Sequence, residues 1–181
     1  MGSEMCIRDS INAVMFFVEI TAGIKSGSQA LLADALDFAG DSATYTISLL
    51  VIGASLRTRA MASLFKGGSL AFIAIIILGS SLYRFLGDTV PAAETMGIVG
   101  FLALLANLTS LLILMRWRDG DSNVRSVWLC SRNDAIGNVG VIIAGVVVAM
   151  TGAAWPDLVV AILLAALFLR SSVSILSLIH I

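Results

Sequence analysis

The sequence predicts an all-α membrane protein, a polytopic bundle of six transmembrane helices with the first of them cut short. Three observations carry that prediction. Apolar residues make up 59% of the 181-residue chain and charged residues 13%, with a mean hydropathy of +1.00; soluble domains hold about 45–50% apolar and about 25% charged residues. No soluble interior hides that surplus. The apolar residues gather into six stretches, most of them reaching the ~20 residues that a bilayer crossing needs. Those stretches lack the two-residue alternation of a membrane barrel, which leaves helices as the way to satisfy the backbone in lipid.

The two ends are set aside first. Residues 1–10, MGSEMCIRDS, and residues 176–181, LSLIHI, resemble the two translated strands of a sequencing-library adapter and are expected to be artefacts, with both natural termini missing. Of eleven basic and twelve acidic residues, Arg8, Glu4 and Asp9 fall in the first scar, so the remainder carries no net charge. Cys6 and the single histidine, His180, leave with the scars. Cys130 remains, and one cysteine makes no disulfide framework.

The remaining 11–175 divide into spans at 11–24, 28–54, 67–86, 92–115, 125–150 and 155–175. Breakers separate them: Lys25-Ser26-Gly27, Arg57-Thr58-Arg59, Gly87-Asp88 before Pro91, Arg118-Asp119-Gly120-Asp121, and Trp155-Pro156-Asp157. The first span carries Asn12 and Glu19, seven apart and on one face. Glu19 lies near the outer end beside Lys25, where it is either interfacial or a support for the second span and its proton traffic. The third and fourth spans are apolar, with Gly97 and Gly100 allowing close packing, as Gly137, Gly140 and Gly145 do in the fifth. Basic residues set orientation. Arg57, Arg59, Lys66, Arg116, Arg118, Arg125 and Arg170 lie on one side, and Lys25 and Arg84 on the other. Both native termini are therefore expected in the cytoplasm.

The second span holds what a membrane helix ordinarily excludes. Asp34, Asp37 and Asp41 sit within eight residues. Each carboxylate costs about 2.5–3.5 kcal/mol at a helix centre, so three cost on the order of 8–10 kcal/mol. Spacings of three and four place them on one face, directed into the bundle. Three such groups repel one another and favour protonation, and a divalent cation neutralises them better while releasing protons. The bland alternative is a set of proton-bearing packing residues. In the fifth span Cys130, Asp134 and Asn138 follow a spacing of four and form a polar stripe. Asp134 is the candidate ligand. Cys130 is either a thiolate ligand or a small buried apolar residue, and Asn138 is assigned an interhelical hydrogen bond. Arg132 is expected at the cytoplasmic interface. Asp37-Phe-Ala-Gly-Asp41 and Asp134-Ala-Ile-Gly-Asn138 are weakly alike, as an inverted repeat would be.

Asn12, Glu19, Gly23, Ser26-Gly-Ser28-Gln-Ala-Leu-Leu-Ala-Asp34, Asp37 and Asp41 resemble the first two helices of a cation diffusion facilitator, and Asp134, Asn138 and Pro156-Asp157 extend the likeness across most of residues 11–175. The resemblance implies a six-helix metal–proton antiporter that works as a homodimer in the lipid bilayer. It also implies an ion held between the second and fifth helices by two ligands from each. Asp37, Asp41 and Asp134 match three of those ligands, and Cys130 stands where the family often has histidine. Asp34, Asn138, Glu19 and Asn12 are supporting polar residues.

An Asp3Cys site suits zinc, cobalt or cadmium, and an oxygen-rich one would lean to manganese or ferrous iron. The family's histidine-rich loop and C-terminal metal-sensing domain are absent from this sequence. The expected protein exports a divalent metal, zinc foremost, across a bacterial inner membrane. Alternatives are a proton-coupled transporter of another solute and a non-transporting membrane partner. An enzyme is not expected, since no nucleophile–base pair or phosphate cradle is visible, nor is a nucleic-acid partner.

Overall fold

The computed structural model describes residues 2–50, 55–87, 89–115 and 122–177, with the backbone alone over several stretches that include 44–50 and 122–130. Six helices account for nearly all of them: α1 (Gly2–Ser26), α2 (Gln29–Leu50), α3 (Leu56–Phe85), α4 (Ala93–Met115), α5 (Ser122–Thr151) and α6 (Trp155–Ser177). The all-α bundle expected from composition is what forms. Among the described residues three stretches are long and apolar enough to cross a membrane: Ala93–Met115, Ser131–Thr151 and Trp155–Val173. The acids of α2 and the charges of α1 keep those helices from reading as simple spans.

Two boundaries differ from expectation. The Arg57-Thr58-Arg59 segment is not a connection but the first turn of α3. Ser55 caps it, its hydroxyl accepting from the Thr58 backbone N–H at 3.3 Å, and a cap of this kind starts a helix wherever the following residues permit one. Neither Gly67 nor Gly68 stops the 30-residue helix, which at about 1.5 Å per residue is longer than a bilayer core is thick. At the start of the chain, α1 runs back through the adapter-like residues, because Glu4-Met5-Cys6-Ile7-Arg8 contains no breaker.

The helices alternate in direction. Gly27, with φ +74°, makes the tight α1–α2 turn in a left-handed conformation that glycine adopts without strain. The Ala92 N–H before α4 donates to Ser26 O at 3.0 Å, so α1 ends where α2, α4 and α6 begin. We call this the capped end. Gly145 of α5 lies against the first turn of α4, where an added Cβ would stand 3.1 Å from Met96 Cβ and 3.3 Å from Ala93 O. The C-terminal part of α5 is therefore at the capped end, and α2 and α5 run antiparallel.

Three pairs dominate the packing, α1 with α2, α4 with α5 and α3 with α6, and α2 touches all five other helices. One buried cluster joins Ala30 and Leu31 of α2 to Met96 and Val99 of α4 and Val141, Ala144 and Val148 of α5. Another joins Ala33 to Ala74 and Ile77 of α3 and Ala161, Ala165 and Phe168 of α6. Phe65, Phe72, Leu112 and Met150 point outward, as suits a surface solvated by lipid. The chain is an integral membrane protein, and α2, which carries three aspartates, lies inside the bundle.

Candidate cation site

The start of α2 is fixed from outside its own sequence. Asp157, 1% exposed, reaches across from the first turn of α6. Its Oδ1 accepts from Ser28 Oγ at 2.6 Å and Ala30 N at 3.1 Å, and its Oδ2 from Gln29 N at 2.8 Å. Free N–H groups at a helix start need acceptors and favour negative charge, and Asp157 supplies both. Ser28 Oγ also accepts from Leu31 N at 3.1 Å. Gln29 Oε1 accepts from Ser80 Oγ at 2.6 Å, and Arg84 Nη1 donates to Gly27 O at 2.7 Å. The α1–α2 turn is thus tied to α3, α4 and α6.

From that anchor α2 descends into the bundle carrying its acids. Asp34 lies about 8 Å below Gln29, Asp37 about 12 Å and Asp41 about 18 Å, at about 1.5 Å per residue. Asp34 is buried, and Asp37 and Asp41 are partly buried. The Asp37 carboxyl meets that of Asp134 on α5 within hydrogen-bonding reach. Two carboxylates at that separation need a proton or a cation between them. Asn12 Nδ2 donates to Asp41 Oδ2 at 3.4 Å, which brings α1 into the same place.

Arg8 occupies the deep side of this cluster. Its side chain is 3% exposed; one guanidinium nitrogen pairs with Asp41, and Nε donates to Ser131 Oγ at 3.4 Å. Arg8, in the stretch expected to be an artefact, therefore bridges α1, α2 and α5 beside the predicted ligands. Among the described residues, no group of three His, Cys, Asp or Glu side chains converges closely enough to hold a metal ion. Asp41 is engaged with Arg8, and the side chain of Cys130, one turn before Asp134, lies outside the described residues, as does His180.

The other expected residues are also located. Glu19 is fully buried in the bundle and faces Asp34. Asn138 is fully buried one turn from Asp134; the interhelical hydrogen bond assigned to it is not made, since neither amide atom has a partner. Arg132 is exposed, with Nη2 donating to Asn133 Oδ1 at 3.4 Å. Sequence reasoning placed Asp157 at the opening of a helix and in the family likeness, but gave it no structural role. Its local signal was a carboxylate directly after proline in a first turn, which also describes many ordinary helix starts.

Residues 10–177 match the cation efflux transmembrane domain. The chain belongs to the cation efflux family. This is the family, also called the cation diffusion facilitators, that the motifs of α1, α2 and α5 resemble. The zinc transporter ZitB of Yersinia pestis is 30% identical over 94% of this chain and 59% of its own length. ZitB of Escherichia coli K12 is 31% identical over 90% of this chain and 56% of its own length. A cadmium, cobalt and zinc/H(+)-K(+) antiporter of Bacillus subtilis is 27% identical over 87% of this chain and 55% of its own length. The chain thus spans just over half the length of these relatives.

Proposed function

We propose that this chain is the membrane part of a divalent-cation efflux transporter, moving zinc or a similar metal outward in exchange for protons. The observation that carries the reading is the approach of Asp37 on α2 to Asp134 on α5. Acids on two helices, one turn from Asp41 and from Cys130 respectively, can close on one ion from opposite sides. The guanidinium of Arg8 beside Asp41 adds support, since a cation-seeking cluster takes the positive charge within its reach. Metal and protons compete for the same carboxylates, so loading from one face and release to the other couples the two flows. The names of the relatives favour zinc, with cadmium and cobalt next.

In this reading Asp37, Asp41, Asp134 and Cys130 ligate. The capped end faces away from the cytoplasm of a bacterial inner membrane, and the protein works as a homodimer. Residues 1–10 and 176–181 are foreign to the transporter. In inverted membrane vesicles carrying the protein, Asp41→Ala is expected to reduce zinc uptake to background while leaving membrane insertion intact. Undiminished uptake overturns the assignment.

A further inference from the structure

Glu19, Asp34 and Asn138 are 0%, 2% and 0% exposed. The Glu19 and Asp34 carboxyls lie within hydrogen-bonding reach of each other, which takes a proton or a cation between them, and neither amide atom of Asn138 has a hydrogen-bond partner. The helix register brings the three to one level. Glu19 faces Asp34 across the α1–α2 contact, so the group nearest each acid is another acid. Asn138 lies one turn beyond Asp134 on the same face of α5, and Asp134 meets Asp37. Because α2 and α5 are antiparallel, the step from Asp134 to Asn138 parallels the step from Asp37 back to Asp34. Both lead toward the capped end by about one turn, roughly 5 Å.

Buried polar atoms are almost always paired, and an acid pair that needs a proton or a cation, level with a buried amide that has no partner, calls for something between them. We propose that Glu19, Asp34 and Asn138 form a second cation subsite, one turn nearer the capped end than the Asp37–Asp41–Asp134 cluster, which takes a divalent cation through oxygen ligands alone. Two buried carboxylates match a divalent charge. The Asn138 carbonyl oxygen supplies a third ligand, its NH2 can donate to a carboxylate oxygen, and water completes the shell. An all-oxygen set without thiolate or imidazole favours a hard ion, unlike a cluster that includes Cys130. As a station on the ion's path the subsite rests on the transport reading; as a binding site it stands separately.

The test uses the detergent-solubilised chain titrated with Mn2+, with free ion counted by electron paramagnetic resonance. The wild type is expected to bind an ion that the Asp37→Ala/Asp41→Ala double variant retains. Glu19→Gln, which keeps shape and removes charge, should weaken that ion at least tenfold, and Asn138→Ala should weaken it several-fold. Helical circular dichroism confirms that each variant is folded. Absence of Mn2+ binding by the wild type, indifference to Glu19→Gln, or loss of the same ion in the double variant overturns the subsite. None of these outcomes touches the transport reading, which stands or falls on zinc uptake by Asp41→Ala.

Discussion

Asp157 satisfies two backbone N–H groups and one hydroxyl at the start of another helix, so removing its carboxylate strands three donors at once. Each buried group left unpaired costs about 1–3 kcal/mol. Asp157→Ala is therefore expected to lower the thermal unfolding midpoint in detergent by more than any other single polar truncation at the capped end. Ser80→Ala, which removes one hydrogen bond to Gln29, should cost about 1 kcal/mol. Arg8 makes the opposite kind of prediction. Its guanidinium competes with any ion for Asp41, so Arg8→Ala should tighten Zn2+ binding at the cluster, as read by isothermal titration. The three α2 acids were legible from sequence because charge inside an apolar run is conspicuous. The Asp157 clasp and the Arg8 contact were not, since each joins residues far apart with no shared period.

The α4–α5 pair is held by small residues at close contact. Gly145 faces Met96, Ala93 and the Gly97 backbone, and Gly100 faces Val141 and Ile142 with 3.3 Å and 3.2 Å left for a Cβ. Backbone atoms cannot rotate aside, so Gly145→Val is expected to cost about 1–3 kcal/mol by overpacking. It should lower the unfolding midpoint more than the same change at Gly97 or Gly79, where a Cβ meets nothing within 4 Å. The glycines were visible in the sequence as a packing signal, but which of them bear contact was not. The start of α3 shows the same limit. Two arginines read as a connection, yet a single serine hydroxyl on Thr58 N extends the helix through them.

At the scale of the whole molecule, the bundle encloses the helix that carries three aspartates and shows lipid an apolar exterior. The number of helices and their alternating course followed from hydrophobic runs and short breakers, and all six are present. The burial of Glu19 did not follow, because a carboxylate seven residues before the end of α1 reads equally as interfacial. The proposed orientation has a direct check. Lys25 and Lys66 are the two lysines of the chain, and Lys25 is exposed at the capped end. A membrane-impermeant amine reagent applied to spheroplasts is expected to label Lys25 and spare Lys66. The reverse pattern would invert the topology and with it the direction of transport.

The clasp on α2 also sets a schedule for biogenesis. Gln29 and the carboxylate that caps it are separated by 128 residues. At the roughly 5–20 residues per second of synthesis, the acid-bearing helix waits about 6–26 s for its anchor to emerge. During that interval three aspartates stand near lipid with neither α5 nor α6 to shelter them. Their protonation, or the insertion machinery itself, must carry the helix until the last span arrives. A ribosome stalled before Asp157 is therefore expected to leave α2 accessible to water-borne thiol reagents at an Ala33→Cys position, and one stalled after residue 177 to leave it protected.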